Sequence, residues 1–219
     1  MATALVTGAN RGIGLELCRQ LAARGDKVIA VCRRASDDLR ALGVTVHEGV
    51  DVTDDASVMK LANDLAGTRI DVLINNAGVL SRQSLDNLDF DEMRRQYEIN
   101  ALGPLRVTAA FLPLMHEGAK IGIVTSRMGS LADNDSGSHY GYRMSKAAVS
   151  MAGVSLARDL QARGIAVAIL HPGMVATEMT GRQGIDPADA ARGLIARIDE
   201  LTLETTGRFR HANGEALPW

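Results

Sequence analysis

The sequence predicts an α/β protein with one parallel sheet covered by helices on both faces. Three observations lead there. Short β-branched runs alternate with longer amphipathic stretches, the runs are almost continuously apolar, and a glycine-rich turn follows the first of them. Continuous apolar runs suit strands buried on both faces. Repeated strand–helix units joined by right-handed crossovers then give a doubly wound sheet.

The first run, Ala2–Val6, begins almost at the first residue and leads into Thr7-Gly8-Ala9-Asn10-Arg11-Gly12-Ile13-Gly14. Gly12–Ala23 reads as a helix, because Ile13, Leu17 and Leu21 recur at helical spacing with Glu16, Arg19 and Gln20 on the other side. Further strands are expected at Val28–Cys32, Val44–Glu48, Val72–Asn75, Ile121–Thr125, Ala166–Leu170 and Gly207–His211. Helices are expected at Ser57–Leu65, Glu98–His116 and Met144–Arg163, and Asp186-Pro187 signals the start of another. The most loop-like stretch, Gly181–Pro187, is too short to divide domains, and no internal repeat or low-complexity tract is present. Residues 1–219 are therefore expected to form a single domain.

Composition mainly excludes. Hydrophobic residues make up 46% and charged residues 23%, so a useful core can be buried without disulfides or metals. The formal net charge of −2 leaves no electrostatic case for nucleic acid or an anionic membrane. No apolar stretch approaches the ~18–20 residues that cross a bilayer. The early first strand leaves no room for a secretory signal, so a soluble cytoplasmic protein is expected. Cys18 and Cys32 lack a CxxC partner and read as reduced, small apolar side chains. His47, His116, His139, His171 and His211 show neither HxxxH nor HExxH spacing, so no metal is expected.

Glycines in the first turn allow a tight bend, close approach of backbone to a pyrophosphate, and close packing of helix on strand. The helix that follows offers free N–H groups to an anion. A glycine-rich turn alone can be purely structural; its place between the first strand and a helix makes it a phosphate site.

Tyr142 and Lys146 stand at i and i+4, which puts both side chains on one face of a helix. A phenol with pKa near 10 is poorly matched to neutral pH, and lowering it by ~3 units takes ~4 kcal/mol. An ammonium about 4 Å away supplies roughly that at an effective dielectric near 20. Lys146 is therefore expected to tune Tyr142 as acid or base. Tyr140 is the alternative phenol, but Met144, four residues on, cannot play that part. Ser126 ends the fifth strand, at the carboxyl edge where open α/β sheets bind ligands, and Ser130 is the weaker candidate beyond Gly129.

The spacing TGxxxGxG is followed in order by Asp51-Val52, Asn75-Asn76-Ala77-Gly78, Asn100, Ser126, Tyr142-Arg143-Met144-Ser145-Lys146 and Pro172-Gly173-Met174-Val175-Ala176-Thr177. Over nearly the whole chain this resembles the short-chain dehydrogenase/reductase family. The resemblance implies a Rossmann-type domain with a seven-stranded parallel sheet of order 3-2-1-4-5-6-7. It also implies hydride transfer between a nicotinamide and a carbonyl or alcohol. Implied cofactor contacts are Gly8, Asn10, Arg11, Gly12, Ile13 and Gly14 in the turn, Arg33 after the second strand, and Asp51 and Val52 beside the adenine. Asn75, Ala77 and Gly78 would follow the ribose, Pro172, Gly173, Val175 and Thr177 the nicotinamide end, and Tyr142 and Lys146 would join them. The implied catalytic tetrad is Asn100, Ser126, Tyr142 and Lys146. Asn100 would support a water relaying protons to Lys146, or would be a polar residue satisfying a helix irregularity; both readings stand on the residues alone. Ser126-Arg127-Met128-Gly129-Ser130 and Gly141–Lys146 look especially like the C-factor-like, carbonyl-reductase-like branch, some of whose members are described as developmental signals.

NAD-selective relatives carry an acid about 18 residues after the last glycine of the turn, for the ribose 2′-OH. Here Cys32-Arg33-Arg34 takes that place, and a guanidinium can bind a 2′-phosphate bidentately. Arg11 is a second cation. NADP(H) is expected as the preferred cofactor, with NAD(H) as the alternative. The segment after Thr177 is short, which predicts an open pocket for a small aldehyde, ketone or alcohol. Met128, Leu131, Met174 and Met179 would line it or belong to the core, and His139 would face it or the surface. Ala109-Ala110 and Ala147-Ala148 put small residues on two long helices, as a homodimer or homotetramer would use, or as packing on the sheet would. Two other classes compete. An NADP(H)-holding sensor would bind without turnover, and retention of the whole tetrad argues against it. A methyltransferase would have no use for YxxxK or the Pro-Gly turn.

Overall fold

Seven parallel strands make one sheet in the order β3-β2-β1-β4-β5-β6-β7 in the computed structural model, which describes residues 1–219. They are β1 (Thr3–Thr7), β2 (Lys27–Val31), β3 (Thr45–His47), β4 (Ile70–Asn75), β5 (Met115–Val124), β6 (Ala166–His171) and β7 (Phe209–His211). The helices are α1 (Gly12–Ala23), the single turn α2 (Asp37–Arg40), α3 (Asp55–Asp64), α4 (Phe90–Tyr97), α5 (Gly103–Phe111), α6 (Tyr140–Asp159) and α7 (Pro187–Asp199). The seven strands and their order agree with the sequence expectation.

Side chains of each strand divide between two apolar layers, as the two-residue period requires. Ala4, Val6, Ala30 and Ile74 face Leu17 and Leu21 of α1 and Leu194 and Ile198 of α7. Leu5, Ile29, Leu73, Ile121 and Ile123 face Leu61 of α3, Phe111 of α5 and Val149 of α6. Each fully buried Leu, Ile or Phe contributes about 1.5–3 kcal/mol, so the doubly covered sheet is the source of stability. No helix is long and apolar enough to cross a membrane.

Most helices begin on a side-chain cap: Ser36 accepts from Leu39 N, Asp54 from Ala56 N, Asp89 from Glu92 N and Asp186 from Ala188 N. The N-terminus of α1 has no such cap.

One long element differs from the sequence reading. The helix expected over Glu98–His116 begins eight residues earlier, at Phe90, and has two interruptions. Pro104 has no N–H to give the Asn100 carbonyl and its ring crowds that carbonyl. The chain widens there into a π turn, Glu98–Leu102, before α5 resumes. Pro113 lies in a 3-10 turn that ends the helix, and β5 starts at Met115, six residues before the apolar run that predicted it. The early part of β5 pairs through Ile70↔Met115, and the register then shifts to Val72↔Lys120. The helix expected from Met144 also begins earlier, at Tyr140.

Candidate active site

The carboxyl ends of β1 through β6 surround a cleft of about 1190 Å³. That is slightly above the ~300–1,000 Å³ usual for small-ligand pockets. The cleft opens where β1 is flanked by β2 on one side and β4 on the other, the point at which the strand order reverses.

Its floor is the turn between β1 and α1. Gly8 has φ +67°, and a Cβ there would stand 2.8 Å from the Ala77 Cα; a Cβ on Gly14 would stand 2.2 Å from the Gly8 carbonyl oxygen. The turn can therefore close only on glycine at both positions. Asn10, Gly12 and Ile13 line the cleft beside it, and the uncapped first amides of α1 lie at its edge. This is a cradle for an anion. Thr7 and Asn76, which the sequence reading did not assign, fasten it to β4. The Thr7 hydroxyl accepts from the amides of Asn76 at 3.1 Å and Ala77 at 3.2 Å, and the Asn76 amide group donates to Thr7 O at 3.0 Å.

The cationic residues sit apart in their partnerships. Arg33 is exposed in the cleft, 4.0 Å from the Asp51 carboxylate. Burial pushes the Asp51 carboxyl up, but hydrogen bonds from the Thr53 amide and hydroxyl and the charges of Arg33 and Arg106 outweigh it and hold it below its ordinary value. Val52 beside it is buried against Gly103. Arg11 pairs with Glu178, which joins the glycine turn to the segment after Thr177 across the cleft; both side chains are exposed. Such a pair is worth about 0–1 kcal/mol and leaves Arg11 free to exchange partners.

Ala77, Gly78, Pro172 and Thr177 line the cleft further along. Asn75 does not. Its side chain is buried and donates to the Thr108 hydroxyl at 3.0 Å, because the strand period turns it toward α5 while Asn76 faces the cleft. Gly173 and Val175 also stand outside the lining, Val175 as a buried apolar side chain.

Tyr142 and Lys146 are both buried on the cleft side of α6. Lys146 Nζ donates to the Val124 carbonyl at 3.0 Å and stands over the Tyr142 ring, 5.6 Å from its centre. Thr125 Oγ1 donates to the Lys146 carbonyl at 3.1 Å, and the same hydroxyl is 2.9 Å from that of Ser150, which holds α6 against β5. Ser126 caps the turn after β5, accepting from Met128 N at 3.1 Å, and its hydroxyl lies near enough to the Tyr142 phenol to favour its ionised form.

The protonation states differ from the sequence argument. Burial pushes the phenol of Tyr142 up to about 12, against a smaller lowering by the nearby Ser126 hydroxyl. Burial likewise pulls Lys146 down to about 8. The expected lowering of the phenol by an adjacent ammonium is absent from this arrangement, because the ammonium faces the ring and the Val124 carbonyl. Desolvation of both groups dominates.

Asn100 lies in the π turn, buried. Its side-chain oxygen accepts from Val79 N at 2.8 Å, and its amide donates to Val79 O at 2.8 Å and to Ser145 Oγ at 3.0 Å. Both donors are thus engaged in tying the π turn to the strand exit and to α6. The position a Cβ of Gly78 would take is 3.3 Å from Asn100 Oδ1 and 3.6 Å from Lys146 Nζ, so the three converge on one corner of the cleft. No group of histidine, cysteine or acidic side chains is arranged to hold a metal.

Comparison with known proteins agrees with this geometry. The sequence profile of the family described as short chain dehydrogenase matches residues 2–187. The chain is 51% identical to 1-hydroxy-2-glutathionyl-2-methyl-3-butene dehydrogenase of Rhodococcus sp. (strain AD45), with all of both chains covered. It is 49% identical to C-signal of Myxococcus xanthus, over 68% of this chain and 93% of that one. Among solved structures, NADPH-bound carbonyl reductase from chicken fatty liver superposes with a TM-score of 0.92 at 29% identity, covering 100% of this chain and 99% of that one.

Proposed function

Because the chain belongs to the short-chain dehydrogenase family, we propose that residues 1–219 form one catalytic domain that interconverts a small carbonyl compound and its alcohol with NADP(H). The observation that carries this reading is the burial of Tyr142 and Lys146 together at the end of a cleft whose other end is an uncapped helix terminus. Bound there, the nicotinamide supplies or accepts a hydride. The protein's own groups bind, orient and move the proton.

In reduction, the Tyr142 hydroxyl donates a proton to the substrate oxygen, and Ser126 holds that oxygen by a second hydrogen bond. A phenol held well above neutrality is protonated throughout the physiological range, and the alkoxide left by hydride addition is a stronger base than phenolate. Lys146 orients the ribose. Asn100 fixes this corner through Val79 and Ser145, and would support a water leading to Lys146. Gly8, Asn10, Gly12, Ile13 and Gly14 take the pyrophosphate, Asp51 and Val52 the adenine, and Ala77, Gly78, Pro172 and Thr177 the ribose and nicotinamide. Asn75, Gly173 and Val175 act behind this wall, through packing.

Preference for NADP(H) rests on Arg33, exposed in the cleft with one acid 4.0 Å away, and on Arg11 as a second cation. The NADPH bound by the chicken carbonyl reductase supports it. A small-molecule partner follows from the cleft, and association into a homodimer or homotetramer through the outer faces of α5 and α6 is part of the same reading. The sensor alternative is not favoured, since the relative at 51% identity across the whole chain is a dehydrogenase.

The test is a panel of aldehydes, ketones and alcohols, including glutathione-conjugated alcohols, assayed with NADPH or NADP for wild type and Tyr142→Phe. Turnover that falls by roughly 10²–10⁴ in the variant, with NADPH affinity kept, is the expected result. NADPH binding without turnover on any member would shift the assignment to the sensor class.

A further inference from the structure

Gly137, Ser138 and His139 have φ of +61°, +55° and +54°, three consecutive left-handed residues immediately before the catalytic-side helix α6. Non-glycine residues adopt this conformation at a cost, and ordinarily singly. Such a run persists only where its surroundings over-determine it, and it marks functional sites.

Two residues hold it. Gln83, buried in the segment after β4, accepts from His139 N through its carbonyl at 2.7 Å and from Gly141 N through its side-chain oxygen at 3.1 Å. It thereby supplies the cap that His139 does not give α6. Its amide group donates to Asp89 O at 3.0 Å, which fixes it in turn to the start of α4. The second is Arg143, adjacent to Tyr142. Its Nε donates to the carbonyls of Gly137 at 3.0 Å and Ser138 at 3.1 Å, one Nη donates to the Ser136 hydroxyl at 2.8 Å, and the other to Met128 O at 3.3 Å. All four partners are neutral oxygens.

Met128 is the residue whose amide Ser126 caps. One guanidinium therefore joins the turn that carries Ser126 to the turn that delivers Tyr142. The geometry points to Arg143 as a positioning residue: its fork holds the left-handed turn Gly137–His139, with Gln83 on the other side, and so sets Ser126 against Tyr142. A planar fork with several fixed donors does this; an ammonium does not. This inference rests on the reading of Tyr142 as the proton donor.

The experiment compares wild type, Arg143→Met, Arg143→Lys, Arg143→Met/Ser138→Gly and Tyr142→Phe. Steady-state reduction by NADPH, NADPH affinity, melting temperature and amide exchange at His139 and Gly141 are measured on each. Arg143→Met is expected to lower kcat on the order of tenfold, with NADPH affinity unchanged and faster exchange at both amides. Arg143→Lys recovers only part of the loss. Adding Ser138→Gly relieves the conformational cost and restores most of kcat, which a merely structural arginine would not show. Wild-type kcat per folded molecule in Arg143→Met and Arg143→Lys, or a loss that Ser138→Gly leaves untouched, overturns the inference while an inactive Tyr142→Phe keeps the functional reading. Full turnover in Tyr142→Phe overturns both.

Discussion

Lys146 presents its ammonium to the face of the Tyr142 ring, 5.6 Å from the centre, while donating to the Val124 carbonyl at 3.0 Å. The pair is thus a cation over an aromatic ring, and both side chains are buried at the wall of the cleft. Both groups are driven toward their neutral forms, the phenol up to about 12 and the amine down to about 8.

The two directions of the reaction should separate with pH. In the proposed mechanism reduction uses the protonated phenol, which is present at every pH from 6 to 9, and the reverse reaction its ionised form. Oxidation uses the phenolate, whose fraction below its pKa rises about tenfold per pH unit. Alcohol oxidation at saturating cofactor is expected to climb steeply between pH 7 and 9, while carbonyl reduction stays flat. Rate profiles in both directions check this, and a flat oxidation limb would remove the phenol from the role of base.

Removing the lysine should stabilise the fold while stopping the chemistry. Below pH 8 the folded chain holds a buried ammonium that the unfolded chain keeps in water. Between pH 8 and 10.5 the folded chain has released the proton and the unfolded chain has not, so stability rises with pH across that window. The cost at pH 7 is on the order of 3 kcal/mol, offset by about 1 kcal/mol from the bond to Val124. Lys146→Met is expected to melt roughly 4–8 °C above wild type at pH 7, with the gap closing toward pH 10 and turnover lost. Calorimetry at the two pH values decides it.

Asn100→Ala should act on stability first. It strips the Asn100 side chain from both the amide and the carbonyl of Val79, a half-buried residue at the wall of the cleft. Losing the two bonds costs about 1–3 kcal/mol together, or roughly 2–12 °C in Tm. A variant that melts within 2 °C of wild type would show that Asn100 carries no such strain.

Arg33→Ala should discriminate between the two nucleotides. A guanidinium bonded to a phosphate contributes about 1.5–3 kcal/mol, so NADPH affinity is expected to fall ~10- to 100-fold with NADH affinity nearly unchanged. Titration of both nucleotides by fluorescence, at two salt concentrations, measures this. An equal effect on both would assign Arg33 to the adenine side in general.

Local pattern carried much of the fold. The period of Ile13, Leu17 and Leu21 placed α1 to its end residues, Gly12–Ala23, and the apolar runs located all seven strands. What it could not carry is anything decided at a distance. The widening at Asn100 follows from Pro104, four residues on, and a proline inside a helical pattern was the signal available for it. The early part of β5 begins with Met115 and His116, which fell inside the expected helix Glu98–His116, because the pairing of Met115 with Ile70 is set by the sheet. The strand period alone could have separated Asn76, which lines the cleft, from Asn75, which does not. Gln83 had no signature, since the amide it caps lies 58 residues further along the chain. Arg143 stood inside a motif and was passed over, because its partners are the carbonyls of a loop whose shape no periodicity reports.

The cleft is drawn from the ends of β1 through β6, and no smaller part of the sheet contains it. A ligand seated there is therefore bound by the finished molecule and by no partly assembled one. Occupancy then adds to folding stability by mass action, about 2.7 kcal/mol when free ligand is at 100 times its Kd. The abundance of cofactor around the protein thereby becomes one of the quantities that set how long each copy survives unfolding and proteolysis.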